Sequence, residues 1–228
     1  MTIVLPLQTD IHPYTLSTAG APLSDDNPVV ILLHGRRQTE DDMATLIDKL
    51  ALTEATYYLP SAPETTWYPR GFTRELNDNQ PQLDQGLEVI DQILQAILSQ
   101  GVKRQRIWII GFSQGACMAA EFVRRALQPL GGAIVFTGGL FGPECPVASA
   151  PKPVFEGMPM LLSGSHTDTW VPAERVTQTA TYFDQLGAQV HLEIASERAH
   201  HVSQAEIELA RGLITACYAP ADEEVAHV

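Results

Sequence analysis

The chain has 228 residues, long enough for one large α/β domain with a substantial core: folding should remove about 70% of the surface that an unfolded chain of this length exposes. Hydrophobic residues make up 45% and charged residues 18%, the balance of a soluble globular protein rather than a disordered one. Fourteen Lys and Arg against 27 Asp and Glu leave a net charge of −13, which argues against nucleic acid or an anionic membrane as partner, because both need a basic face.

Residues 1 to 16 hold two short apolar stretches, Ile3 to Leu7 and Tyr14 to Leu16, broken by Pro6 and Pro13, and read as opening edge strands where proline is tolerated. Gly20 to Pro28 reads as a polar turn. Val29 to Leu33 is a continuous β-branched and apolar run, the pattern of a parallel strand buried on both faces. It stops at His34-Gly35-Arg36-Arg37. Thr39 followed by Glu40, Asp41 and Asp42 opens a helix with acids in its first turn, and Met43, Leu46, Ile47, Leu50 and Leu52 give its apolar face. Thr56 to Leu59 is a short strand, followed by a long loop through Trp67, Tyr68 and Phe72. Leu83 to Leu98 repeat apolar residues at helical spacing, with an end expected near Gly101. Ile107 to Ile110 is the next strand and Gly132 to Thr137 another. Residues 138 to 159 read as loop, too short for an inserted lid domain. The strand Met160 to Ser163, a helix from about Ala173 to Leu186, the strand Gln189 to Ile194 and a helix Ser203 to Cys217 complete the pattern, with Ser203 and Glu206 spaced as a capping box. Strands alternating with helices predict an α/β fold, a mostly parallel central sheet with helices on both faces. Residues 1–219 are expected to form a single domain and 220–228 an acidic tail.

The chemistry concentrates at Gly111-Phe112-Ser113-Gln114-Gly115, between the strand Ile107 to Ile110 and the small-residue helix that begins at Ala116. A serine between two glycines at a strand-to-helix turn is the nucleophile-elbow pattern. The turn is so tight that Ser113 is expected in a strained conformation, and a side chain at 111 or 115 would collide with neighbouring elements. A serine hydroxyl needs a positioned base to become a nucleophile, and that base, a histidine, needs a carboxylate to hold its tautomer. In this type of fold the chain order is Ser, acid, His. Downstream of Ser113 the acid at a strand end is Asp168, in Gly-Ser-His-Thr-Asp. The adjacent His200 and His201 follow the last strand, and position alone does not separate them.

The Gly111 to Ala116 elbow, Leu33-His34-Gly35, the run from Gly164 through Asp168 to Val171-Pro172, and His200-His201-Val202-Ser203 together resemble the carboxylesterase and acyl-protein thioesterase family of α/β-hydrolases, also called the phospholipase/carboxylesterase family. The resemblance spans about residues 29 to 217. It implies an α/β-hydrolase fold without a cap domain and a cofactor-free serine hydrolase for esters or thioesters. It places the base on His200, although Ala199 stands where relatives commonly carry Gly. The oxyanion of the tetrahedral intermediate needs two N–H donors. One is expected from Gln114, the residue after the nucleophile. The resemblance puts the second on Arg36, with Arg37 standing where many relatives have Gly.

Trp67, Tyr68, Phe72 and Trp170 are loop aromatics expected to wall an apolar acyl slot, and His201 joins them as a candidate substrate contact; Trp67 and Tyr68 could equally anchor their loop. Arg36, Arg37, Arg70 and Arg74 fall on two loops near the site. They form either a positive rim for anionic esters or ion pairs with Glu40, Asp41 or Asp42, and pairing is the simpler expectation. Three cysteines, odd in number and widely spaced, fit reduced thiols in a cytoplasm better than a disulfide framework or zinc site, and Cys117 reads as a core residue. No signal peptide, membrane span, metal motif or cofactor motif is read from the sequence. The expected partner is a small-molecule ester, and the family resemblance allows a homodimer. Two alternatives stand beside this reading. One is a lactone hydrolase like the dienelactone hydrolases, against which Ser rather than Cys at the elbow speaks. The other is a ligand-binding protein on the same scaffold, against which an intact triad speaks.

Overall fold

Runs of apolar residues five or six long bury on both faces only if successive side chains point into two different cores, and that is how the central strands are used. The computed structural model describes residues 2–4, 14–149 and 153–218. In β3 (Val29–Leu33), Val29, Ile31 and Leu33 enter one core while Val30 and Leu32 enter the other. In β5 (Ile107–Phe112), Ile107 and Ile109 are divided from Trp108 and Ile110 in the same way. Each such side chain contributes about 1.5–3 kcal/mol by leaving water.

Among the described residues the sheet has eight strands. Besides β3 and β5 they are β1 (Thr2–Val4), β2 (Thr15–Gly20), β4 (Thr56–Ser61), β6 (Gly132–Phe136), β7 (Pro159–Ser165) and β8 (Gln189–Ala195). Their order is β1-β2-β4-β3-β5-β6-β7-β8, with β1 and β2 antiparallel to their neighbours and all pairs from β4 to β8 parallel. Helices α2 (Gln82–Ser99), α3 (Gln114–Ala126) and α4 (Ala173–Gln185) pack into one core. Helices α1 (Glu40–Leu50) and α5 (Gln204–Ala216) pack into the other. This is the α/β-hydrolase arrangement.

Two expectations at the sheet's edge are corrected. The strand at Tyr14 to Leu16 runs on to Gly20, and β2 lies between β1 and β4 rather than at the edge. Gly20 ends it because its φ is +80° and a Cβ there would lie 2.2 Å from the Ala55 carbonyl oxygen. β4 also runs past Leu59 to Ser61. Beyond Tyr58 it has no β3 partner, so Pro60 sits where one side of the strand is open and a missing N–H costs little. Of the Ile3 to Leu7 stretch, residues 5–7 lie outside the described residues, as does the acidic tail. Helix α5 starts where Ser203 accepts the Glu206 N–H at 3.3 Å and the Glu206 carboxylate accepts the Ser203 N–H at 2.6 Å, the expected reciprocal cap. Among the described residues no helix is long and apolar enough to cross a membrane.

Candidate active site

The parallel strands β3, β5 and β7 all end on one side of the sheet, so the loops that follow them meet there. The turn after β5 is jammed between its neighbours. A Cβ on Gly111 would come within 2.3 Å of the Gly115 carbonyl, and one on Gly115 within 2.3 Å of the Leu33 carbonyl. Between them Ser113 adopts φ 55° and ψ −115°, a conformation a side chain rarely takes. The turn is held from outside. Ser113 N–H donates to the Phe136 carbonyl at 2.9 Å, and Cys117 N–H donates to the Ser113 carbonyl at 3.1 Å.

Ser113, His200 and Asp168 come together from three loops. The Ser113 hydroxyl lies 2.7 Å from His200 Nε2, and His200 Nδ1 lies 2.7 Å from Asp168 Oδ2. The Asp168 side chain is fully buried, and its other oxygen, Oδ1, accepts N–H bonds from Trp170 at 2.8 Å and Val171 at 3.0 Å. Burial, the largest single influence, pushes the Asp168 carboxyl upward. The His200 bond, the two N–H donors and the His200 charge together outweigh it and hold the group below its ordinary value. An ionised Asp168 only accepts, so Nδ1 of His200 carries the proton and Nε2 faces Ser113 as an acceptor. The neighbouring His201 does something else. Its ring is exposed and outside the cleft described below, and its carbonyl accepts from the Arg198 guanidinium. The sequence makes His201 a candidate substrate contact, and the structure places it outside this cleft.

The loop after β3 is braced by a chain of buried polar groups. His34 Nε2 accepts the Ala62 N–H at 3.0 Å, so its Nδ1–H donates to the Gly35 carbonyl at 2.7 Å. Burial lowers the His34 pKa, partly offset by that bond and by Asp42, and the ring stays neutral. Trp67 is fully buried, with its indole N–H on the His34 carbonyl at 2.9 Å and its backbone N–H on Gln114 Oε1 at 2.9 Å. It anchors the loop beneath the site and is not part of the cleft lining, which is the second of the two roles open to it. Gln114 Nε2 donates to the Tyr68 carbonyl at 2.7 Å. Arg37 takes φ 64°, the left-handed conformation for which a glycine would be natural, and its N–H donates to Thr65 at 2.9 Å. Arg can therefore stand at this position with the turn intact. Among the described residues, the backbone N–H groups of Arg36 and Gln114 have no acceptor.

These loops enclose a cleft of about 520 Å³ with Ser113, Gln114 and His200 on its wall. Tyr68, Phe72, Cys117 and Val171 supply apolar lining, and Trp170 stands 75% exposed at the rim. Tyr68 and Phe72 are buried and pack edge-on against Phe141, with ring centroids 4.7 and 6.4 Å apart. Burial pushes the Cys117 thiol up to about 11, so it remains protonated and inert as a nucleophile. Arg36, Arg37 and Arg70 also line the cleft, whereas Arg74 does not.

Arg198 is a further residue built into the site. Its guanidinium is buried, faces Glu206 at 3.3 Å, donates to Thr137 Oγ1 at 3.0 Å, and bridges the carbonyls of Ala199 and His201 on either side of His200. Its backbone N–H is shared by the hydroxyls of Ser165, the last residue of β7, and Thr167, in the turn that leads to Asp168. An isolated Arg in a loop carries no pattern that announces burial. Among the described residues, no cluster of His, Cys, Asp or Glu could hold a metal ion.

A sequence model of the Phospholipase/Carboxylesterase family matches residues 19–218. The chain is similar to the solved structure of a phospholipase/carboxylesterase from Dyadobacter fermentans, with 33% identity and a TM-score of 0.80 over 88% of this chain and 95% of that one. It shares its fold with SOBER1 from Arabidopsis thaliana at 17% identity, TM-score 0.70, over 84% and 99% of the two chains. The Bacillus cereus carboxylesterase is similar at 18% identity, TM-score 0.68, over 89% and 93%. No curated protein matches the chain.

Proposed function

The chain belongs to the phospholipase/carboxylesterase family of α/β-hydrolases, and from that premise we propose that it is a serine hydrolase that cleaves carboxylic esters of short to medium acyl chain, or thioesters, through an acyl-enzyme on Ser113. The observation that carries this reading is the unbroken Ser113–His200–Asp168 chain of 2.7 Å contacts opening into a partly apolar cleft. Ser113 Oγ attacks the carbonyl carbon as its proton passes to His200 Nε2. Asp168 steadies the imidazolium so formed. The oxyanion takes hydrogen bonds from the backbone N–H groups of Gln114 and Arg36, two donors that folding has left unused. Collapse of the intermediate expels the alcohol or thiol, which takes the proton from Nε2. Water then attacks the acyl group with His200 again as base, releasing the acid and restoring Ser113.

The apolar wall formed by Tyr68, Phe72, Cys117 and Val171 supports an acyl chain as the group held, with Trp170 at the entrance. The three free cysteines support a cytoplasmic setting. The test is hydrolysis of 4-nitrophenyl esters from acetate to palmitate by wild type and by Ser113→Ala. The expected result is turnover that peaks at short or medium chains and falls by at least about a thousandfold in the variant. Folded wild-type protein that hydrolyses no ester or thioester, or a Ser113→Ala variant of undiminished rate, would sink the assignment.

A further inference from the structure

Resting on the serine-hydrolase reading, we propose that Arg37 and Arg70 form an anion-recognising rim on the same cleft, selecting esters that carry a second, negatively charged carboxylate or phosphate group a few bonds from the scissile carbonyl. Three of the chain's fourteen basic residues, Arg36, Arg37 and Arg70, line this one cleft in a protein of net charge −13. The simpler expectation, that these arginines pair with the acids at the start of α1, fails where it can be seen. The Asp42 carboxylate accepts from the Thr39 N–H at 2.8 Å and the Thr39 hydroxyl at 3.0 Å. Arg36 instead donates to three backbone carbonyls, those of Tyr68 at 2.7 Å, Arg70 at 3.1 Å and Pro69 at 3.2 Å. Carbonyls satisfy its donors without cancelling its charge, and they tie the two arginine-bearing loops together. Among the described residues, the exposed side chains of Arg37 and Arg70 take part in no ion pair or hydrogen bond. Arg124, Arg125 and Arg198, by contrast, all face carboxylates.

Like charges held side by side repel, and an anion shared between them relieves that repulsion. A guanidinium presents a fork of N–H donors suited to two oxygens of a carboxylate or phosphate. The local field matters more here than in a neutral protein, because the acidic surface repels an anionic substrate everywhere except at such a rim. The cleft lining also includes the apolar Phe72 and Val171, so it suits an amphipathic ligand with an apolar chain and a charged end at the arginines.

The experiment compares kcat/KM for 4-nitrophenyl hydrogen adipate, its neutral methyl adipate counterpart and a phosphonate analogue of equal length. In wild type at low salt, an anionic ester should exceed the neutral one by about tenfold, the order expected for two partly screened charges. Arg70→Gln and Arg37→Gln should each cut that ratio several-fold, and Arg70→Glu should bring it to one or below. Salt at about 1 M, with a Debye length near 3 Å, should erase most of the preference. Arg74→Gln, outside the cleft, should leave the ratio alone. Whether carboxylate or phosphonate gains more identifies the anion. A wild-type ratio near one, or an equal fall in Arg74→Gln, overturns the rim while Ser113-dependent turnover of the neutral ester leaves the hydrolase reading intact. Turnover of the neutral ester that survives Ser113→Ala overturns both.

Discussion

Replacing Arg198 by Met keeps the length and most of the volume of the side chain and removes its charge. The guanidinium and the Glu206 carboxylate are only 5% and 7% exposed and lie 3.3 Å apart, so the variant leaves a buried carboxylate without its cation. Removing one partner of a buried pair costs about 3–5 kcal/mol. Glu206 keeps its 2.6 Å bond from the Ser203 N–H, which places the loss near the lower end, about 3 kcal/mol. For a chain of this size that is a fall of about 6–12 °C in Tm. The catalytic effect follows from the other two contacts. Arg198 grips the carbonyls immediately before and after His200, and without it the backbone that carries the imidazole loses that side-chain brace. A shift of even about 1 Å in the base lowers kcat by about a hundredfold, while KM, set by the cleft walls, should hardly change. Thermal melts and steady-state kinetics on one 4-nitrophenyl ester read both effects. Arg198→Lys separates them: it restores charge next to Glu206 and should recover stability, but its single nitrogen cannot stay at Glu206 and also reach the two carbonyls that Arg198 holds through its other terminal nitrogen, Nη1, so it should not recover kcat. A variant Arg198→Met with Tm within about 2 °C and kcat within about twofold of wild type would refute the bracing argument.

Asp168→Asn should lower kcat by about three to four orders of magnitude with little change in Tm, because the amide oxygen can keep the Trp170 and Val171 N–H bonds while its NH₂ turns to His200 and forces the proton onto Nε2. Retention of more than about a tenth of wild-type kcat would count against that tautomer argument. Tyr57→Phe should raise stability by about 1 kcal/mol, since the buried Tyr57 hydroxyl has no hydrogen-bond partner among the described residues; a drop in Tm would contradict it. The same residue predicts an alkaline limit. Burial raises Tyr14 and Tyr57 to about 12, above the value near 10 of an exposed phenol, so the folded state disfavours the phenolate. Their contribution to stability is complete below about pH 10 and is lost as pH rises toward about 12, a slope in urea melts that Tyr57→Phe should make shallower.

The order of strands and helices was legible because each central strand is a run of apolar residues and each helix repeats them at 3.6. Ser113 was legible because Gly111 and Gly115 are required by backbone contacts of 2.3 Å that no other residue tolerates. Asp168 and His200 followed from chain order and family resemblance, and the structure brings them to Ser113. The loop residues were not legible in the same way. Trp67 and Tyr68 are neighbours with the same aromatic character, yet one is buried under the loop after β3 and the other faces the cleft. Arg36 was expected to meet acids nearby in sequence and meets carbonyls 32 to 34 residues away instead.

The sequence by itself determined the alternation of elements, the strained turn at Ser113 and the cap at Ser203, because these depend on local backbone sterics and on the period of burial along one segment. Only the tertiary structure decided which loop side chains face the cleft, that Arg198 sits buried between two carbonyls, and that three arginines share one cleft. Those outcomes depend on which loops converge over the ends of β3, β5 and β7, and contacts between segments tens of residues apart leave no periodic trace in either one.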